Sequence, residues 1–224
     1  SKRDNVKSIL DLKGEGFINK AILNYLLRLG WSYKNHEIIS LDQAIELFKI
    51  NNIGKSPARI DNKKITFLNS HYLKNLNKDE ILDVLFSKIK FEKYKLKKNN
   101  KEVINELIKI FFKRSKTINQ LFDSIKFIFR ENYKITNSEE KDILNNSKEY
   151  KLEIIKMLKS IDTWELKIIE DSLKTFVDNK NINFKYIGQP LRIILTQSLN
   201  SPSIAKIIKV LGKKEVIKKL DELW

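Results

Sequence analysis

Apolar residues along this chain recur mostly at steps of three and four, the spacing that places side chains on one face of an α-helix. One such run ends at Gly30, a residue type common at helix C-termini, and its apolar positions are Ile18, Ala21, Ile22, Tyr25, Leu26 and Leu29. Similar runs cover residues 101–113, 118–130, 138–146 and 149–160. Segments that alternate apolar and polar residues, as half-buried strands do, are scarce. The pattern therefore predicts an all-α fold.

Helix start signals precede several of these runs. In a capping box, a polar side chain and the residue three positions later bond to each other's backbone amides. Three pairs have this spacing: Ser40 with Gln43, Asn77 with Glu80, and Asp162 with Glu165. The last helices are predicted over residues 190–197, 202–211 and 213–223.

Residues 188–214 differ from the rest of the chain because they contain two of its three prolines. Pro190 and Pro202 are each predicted to lie in a first helical turn. Backbone amides there have no partner within the helix, so proline, which lacks the amide, loses no hydrogen bond. Ser201 is predicted to be the N-cap of the second helix. Free amides at such helix starts attract phosphate or carbonyl oxygens. Two polar side chains lie beside the first start: Gln189 and Arg192.

Composition excludes several kinds of site. Cysteine is absent and only two histidines occur, so disulfides and thiolate- or histidine-based metal sites are not expected. No run of about 18 uncharged apolar residues is present, so no membrane span is expected. The first residues lack the pattern of a signal peptide, which favours a cytoplasmic location.

The charge balance points to a polyanionic partner. The chain has 44 Lys and Arg residues against 28 Asp and Glu residues, a net charge of +16. Nucleic acid is the polyanion that such a balance favours. Compositional drift is the alternative explanation, since the high Lys, Asn and Ile content is also what an AT-rich genome produces.

Several short blocks have the order and spacing of one enzyme family. They are Gly16-Phe17, Asn24-Tyr25-Leu26, Leu29-Gly30-Trp31-Ser32, Asn69 with Tyr72, Gly188-Gln189-Pro190-Leu191-Arg192, Ser201-Pro202 and Leu211-Gly212-Lys213. Together they resemble the C-terminal half of bacterial-type glutamyl-tRNA synthetases, class I aminoacyl-tRNA synthetases. The resemblance covers essentially the whole chain. It departs from the family pattern at Ile65, where leucine is usual, and at Phe67, where tryptophan is usual.

The resemblance implies a division into three parts. Residues 1–78 correspond to the end of the class I signature loop followed by a stem-contact region. Residues 79–125 and 126–224 correspond to two helical subdomains of an anticodon-binding domain. Ser1-Lys2-Arg3 matches the tail of the signature loop, which implies that Lys2 contacts ATP phosphates. The catalytic domain precedes this segment in the family, so the chain is expected to be inactive alone.

The resemblance also implies which residues bind RNA. Arg114 is implied to reach the last anticodon base, and its guanidinium suits the O2 and N3 acceptors of cytosine. Five further positions match those that surround the anticodon in this family: Gln189, Arg192, Ser201, Pro202 and Ile204. A buried helix position is the alternative for Ile204.

The family implies a function for the full-length protein. It would ligate glutamate to tRNA(Glu) using ATP with Mg2+, releasing AMP and diphosphate, and this portion would recognise the stem and the anticodon. A monomer without a membrane partner is expected, with no cofactor bound to this portion. Two alternatives stay open: a synthetase that also charges tRNA(Gln), and a stand-alone basic helical RNA-binding protein.

Overall fold

The computed structural model describes residues 7–55, 61–96, 100–130 and 133–224, and the regular structure in these ranges is helical, with only an isolated bridge between Trp31 and Ile53. The all-α prediction is confirmed. The helices are α1 (Ile9–Gly14), α2 (Asn19–Gly30), α3 (Leu41–Leu47), α4 (Asn62–Lys74), α5 (Lys78–Phe91), α6 (Asn100–Phe111), α7 (Ile118–Ile125), α8 (Ser138–Asn146), α9 (Lys151–Ser160), α10 (Leu166–Lys180), α11 (Lys185–Thr196), α12 (Ile204–Leu211) and α13 (Lys213–Leu223).

Two of the three predicted capping boxes are present. The boxes of Ser40 and Asn77 cap α3 and α5 with both reciprocal bonds. The predicted cap at Asp162 is wrong, because α10 begins at Leu166 and its N-cap is Glu165, which makes no side-chain bond. The amide of Glu165 bonds to the carbonyl of Thr163 at 2.8 Å, a tight turn that delays the start of the helix.

The caps allow a matched test of local stability. We expect Ser40→Ala to lower the free energy of unfolding by about 1 kcal/mol, because its hydroxyl accepts from the Gln43 amide at 3.2 Å. Ser203 is also an N-cap, of α12, but makes no side-chain bond. Ser203→Ala is therefore expected to change stability by less than about 0.5 kcal/mol. Urea unfolding of both variants checks this difference, and equal losses would contradict it.

The described residues form two compact units, and the first comprises Ser1–Lys93 with Phe112–Asp123. Helices α2 and α4 pack against each other in this unit. One apolar cluster of this unit contains Leu12, Phe17, Ile22, Tyr25, Ile65 and Leu68. Another contains Trp31, Ile39 and Ala44. The cluster residues of α2 and α4 follow the helical spacing that the sequence shows, whereas Phe17, Trp31 and Ile39 are buried from the segments between helices.

A buried asparagine holds the loop before α3 against α2 and α4. Asn24 is 2% exposed, and its Nδ2 donates to the carbonyl of Glu37 at 3.2 Å. Its Oδ1 accepts from the amide of Ile39 at 3.1 Å and lies 3.0 Å from the hydroxyl of Tyr72. Asn24 thus supplies hydrogen-bond partners to backbone groups of a loop, which have no partner within a helix.

The second unit comprises Tyr94–Phe111 and Ser124–Trp224, and α11 lies at its centre. Helix α11 packs against α8, α12 and α13, while α12 also contacts α6 and α10. Five apolar side chains of α11 are fully buried: Ile187, Leu191, Ile193, Ile194 and Leu195. This burial on several sides makes α11 a rigid base for the polar side chains that it carries. Across the described ranges, no helix is both long and apolar enough to cross a membrane.

Candidate nucleic-acid interface

Helix α11 begins five residues earlier than predicted. Pro190 lies inside the helix rather than in its first turn. The side chain of Asn183 accepts from the amide of Lys185 at 2.9 Å, which supports the earlier start. Proline's missing amide removes one internal bond, and the buried contacts of the helix offset that loss. The prediction that Pro190 begins the helix is therefore wrong, and Gln189 and Arg192 lie on its flank, away from the free N-terminal amides.

Arg192 is the most informative side chain of this helix. It is half-buried and lines a cavity of about 240 Å³. Desolvation of its guanidinium lowers the pKa of Arg192 below the usual value for arginine. Within the described ranges its guanidinium has neither a hydrogen bond nor an ion pair. A partly desolvated cation without a partner favours an anion or the face of a π-system.

Three helices supply the walls of this cavity. Its apolar lining comes from Leu173, Val177, Phe184, Ile204 and Ala205. Glu170, Lys174 and Ser203 add polar groups. Glu170 forms no ion pair with Arg192, so the guanidinium is not neutralised by the acid of its own cavity. The cavity combines one cationic group with an apolar wall that includes an aromatic ring.

Gly188 allows Arg192 and the aromatic ring to lie close together. A Cβ on Gly188 would lie 2.6 Å from the ring of Phe184 and 3.0 Å from Nη1 of Arg192. Both distances are shorter than ordinary contacts, so a side chain here would displace one group or the other. Sequence reasoning missed the role of Phe184. A glycine inside a helical pattern was the signal for it, because such a glycine costs helix stability and often has a packing reason.

Gln189 lies beside this arrangement and also lacks a partner. It is half-buried, and its side-chain amide makes no hydrogen bond to the part of the chain that the structure describes. It precedes Arg192 by three positions, so the two side chains share one side of the helix. An amide offers both a donor and an acceptor, and a guanidinium offers donors only.

The segment between α11 and α12 differs from its prediction. Helix α12 begins at Ile204 with Ser203 as its N-cap, so Ser201 does not cap it and Pro202 does not begin it. The hydroxyl of Ser201 instead donates to the carbonyl of Pro202 at 3.3 Å. Ser201 and Pro202 are half-buried, whereas Ile204 is 2% exposed. The structure brings Ile204 and Arg192 to one cavity, while Gln189, Ser201 and Pro202 lie outside its lining.

Arg114 belongs to the first compact unit. It ends a 3₁₀ turn, Phe112–Arg114, that follows α6. Its side chain is exposed, and it makes no hydrogen bond or ion pair with any described residue. The next residue, Ser115, is buried. A free guanidinium therefore projects from a backbone segment that is itself anchored.

Lysines near α12 are not all free to contact phosphates. Lys209 lies 3.4 Å from a carboxylate oxygen of Glu165, and Lys213 donates to the carbonyl of Ile161 at 2.7 Å. Lys206 and Lys214 are exposed. The implied ATP contact, Lys2, lies outside the described residues. The described ranges contain no group of three His, Cys, Asp or Glu side chains placed to hold a metal ion.

Comparisons with known proteins agree with this architecture. Residues 68–223 match the family model described as an anticodon binding domain. Residues 1–67 match the model for the catalytic domain of class I tRNA synthetases for E and Q. A solved glutamate tRNA ligase from Elizabethkingia meningosepticum has the same fold, with a TM-score of 0.79 and 23% identity over 94% of this chain and 42% of its own.

Curated relatives match the chain over nearly its full length. The glutamate–tRNA ligase of Pelagibacter ubique is 36% identical over 98% of this chain and 47% of the relative. That of Wigglesworthia glossinidia brevipalpis is 34% identical over 98% of this chain and 46% of the relative. The chain thus spans about half the length of the curated relatives that it matches. It belongs to the anticodon-binding domain family of class I tRNA synthetases and corresponds to the C-terminal half of the glutamate–tRNA ligases.

Proposed function

We propose that this chain is the tRNA-reading portion of a glutamate–tRNA ligase. The full-length protein would attach glutamate to tRNA(Glu) using ATP with Mg2+, and would release AMP and diphosphate. Lys2 is the proposed contact to the ATP phosphates. In this proposal the reaction needs the remainder of the protein, and this chain alone is inactive. The monomeric state, the cytoplasmic location and the division at residues 78 and 125 belong to the same proposal.

The observation that carries the proposal is the unpartnered guanidinium of Arg192 beside its cavity. Single-stranded RNA is read by splaying bases out, stacking them on aromatic or guanidinium planes, and bonding their edges. The cavity has one guanidinium and one aromatic ring, from Phe184, held together over Gly188. We propose that an anticodon base lies against these groups.

The neighbouring residues complete the proposed anticodon contacts. Gln189 offers a donor and an acceptor to a base edge from the same side of α11. Ile204 shapes the cavity wall, and it does so from a buried position. Ser201 and Pro202 supply a hydroxyl and an apolar edge from the turn before α12. Phosphate attraction to the +16 chain supplies affinity, and these few side chains supply base choice.

Arg114 is the proposed reader of the last anticodon base. Cytosine presents the acceptors O2 and N3, which guanidinium donors bond. Guanine at that position presents the N1–H and N2–H donors where cytosine presents N3 and O2, so only O6 is left as an acceptor on that edge. The residue therefore favours tRNA(Glu), whose anticodons end in cytosine, over tRNA(Gln), whose anticodons end in guanine. A ligase that charges both tRNAs is the second candidate, and charging assays with each tRNA decide between them.

Binding of the chain to an anticodon stem-loop RNA tests this proposal. We expect Arg192→Ala to weaken binding about tenfold, because a base loses its cationic stacking partner. Lys167→Ala is the matched control, since Lys167 is an exposed cation of α10 outside the cavity lining. It should weaken binding by less than about twofold, and affinity of all variants should fall as salt rises. Equal losses for the two variants would show that Arg192 contributes only charge.

A further inference from the structure

Arg114 extends into solvent without a partner, so the position of its guanidinium depends on the backbone that carries it. We propose that Asn69, Gly16 and Asn119 form a clasp that positions Arg114 for base reading. Inside the first compact unit, three hydrogen bonds hold residues 116–119, and a fourth, from the amide of Ile18, holds Asn69 itself. The inference rests on the proposed function of Arg114 and adds residues that determine its specificity without touching RNA.

Asn69 is the centre of the clasp. It lies on α4 and is fully buried. Its Oδ1 accepts from the amide of Ile18 at 2.8 Å, and its Nδ2 donates to the carbonyl of Lys116 at 2.5 Å. One side chain therefore joins the segment before α2 to the segment that follows Arg114. Both bonds involve backbone groups, so Asn69 sets the distance between the two chain segments.

Gly16 provides a close approach that no other residue allows. Its φ is +85°, a left-handed conformation that side chains rarely adopt. Its carbonyl accepts from the amide of Ile118 at 3.1 Å. A Cβ on Gly16 would lie 2.6 Å from the backbone nitrogen of Asn119. Because that atom belongs to the backbone at the start of α7, any residue with a Cβ pushes the two segments apart.

Asn119 closes the clasp from the other side. Its Nδ2 donates to the carbonyl of Gly14 at 2.7 Å. Asn119 is only half-buried, so removing its side chain deletes one anchoring bond and leaves the apolar core untouched. Thr117 and Ile118 are buried next to it, which limits the movement of the segment to small displacements.

The clasp joins the segment next to Arg114 to a different family match of the chain. Gly16 lies in the part that matches the catalytic-domain model, whereas Asn69 and Asn119 lie in the part that matches the anticodon-binding model. Two of the bonds, from the amide of Ile118 to Gly16 and from Asn119 to Gly14, tie the segment that follows Arg114 directly to the part that matches the catalytic-domain model. The other two make the same link through Asn69. Displacements of about 1 Å in such supports can cost up to about 100-fold in rate.

The test measures base preference rather than overall affinity. The chain is titrated with two anticodon stem-loop RNAs that differ only by cytosine or guanine at the last anticodon position. We expect Gly16→Ala to reduce the preference for cytosine about tenfold and Asn119→Ala to reduce it about fivefold. Gly30→Ala is the matched control, because a Cβ there meets nothing within 4 Å and Gly30 makes none of the clasp bonds, and it should keep the parental preference.

Thermal unfolding of each variant and an Arg114→Ala variant separate the possible outcomes. The clasp is overturned if Arg114→Ala loses the preference for cytosine while Gly16→Ala and Asn119→Ala fold and keep it. If Gly16→Ala fails to fold, Asn119→Ala alone decides by the same criterion. If Arg114→Ala itself keeps the preference, the base-reading role of Arg114 fails and the clasp fails with it.

Discussion

Arg114→Ala is expected to reduce the preference of the full-length protein for cytosine over guanine at the last anticodon position by roughly 30-fold, about 2 kcal/mol. The arginine side chain is free of partners in the described structure, so its donors are available to the O2 and N3 acceptors of cytosine. Its loss should raise the charging of the guanine variant relative to the cytosine variant. Steady-state charging of two tRNA(Glu) transcripts that differ only at this base measures the ratio.

The neighbouring lysine provides the control for this experiment. Lys113 is exposed in the same 3₁₀ turn and carries the same charge. Lys113→Ala is expected to weaken the interaction with both transcripts by a similar factor, because a phosphate contact does not distinguish bases. Equal losses for the two transcripts in Arg114→Ala would place Arg114 in the same class as Lys113. Because both side chains are exposed, neither substitution should change stability by more than about 0.5 kcal/mol.

Asn24→Ala is expected to lower the free energy of unfolding by about 3 kcal/mol. The substitution removes the acceptor of the Ile39 amide and the donor to the Glu37 carbonyl, at 3.1 and 3.2 Å. Ile39 is 3% exposed, so its amide would stay buried without a partner. The hydroxyl of Tyr72 retains the carbonyl of Ile39 at 3.0 Å, which limits the damage to the remaining groups.

An asparagine on the surface is the control for the stability loss expected of Asn24→Ala. Asn62 lies at the start of α4, and its side chain is exposed. Asn62→Ala should change stability by less than about 0.5 kcal/mol in the same urea titration. A loss below about 1 kcal/mol for Asn24→Ala would mean that water replaces the lost bonds, and the loop before α3 would then depend on apolar packing alone.

The helices were predictable because their signals are local. The capping boxes at Ser40 and Asn77 and the runs at 138–146 and 213–223 need only neighbouring residues, and the structure has them as predicted. The same reasoning was wrong at Pro190, because the local preference of proline for the first turn of a helix competes with the burial of apolar side chains. The helix begins upstream, where Asn183 supports its first amide and Ile187 is fully buried, and that burial requires packing partners from other helices.

The candidate RNA-binding residues could also be predicted only in part. The residue types that suit RNA, a free arginine with a glutamine three positions before it, were visible in the sequence. The approach of Gly16 to Asn119 was not visible, because this contact joins segments whose distance depends on the whole fold. The ring of Phe184 beside Gly188 is a local contact, and it was missed because the helix was predicted to begin only at Pro190. Asn119 shows how far such contacts reach, since it bonds to Gly14 across 105 residues of chain.

By itself, the sequence determined that this chain is all-α, strongly basic and related to the glutamyl-tRNA synthetases, because periodicity, charge and short blocks are properties of neighbouring residues. Only the tertiary structure decided where α11 and α12 begin, that Arg192 lies half-buried beside an apolar cavity, and that the Arg114 segment is held by Gly16 and Asn69. These features depend on desolvation and on contacts between distant segments, and both arise only when the helices pack.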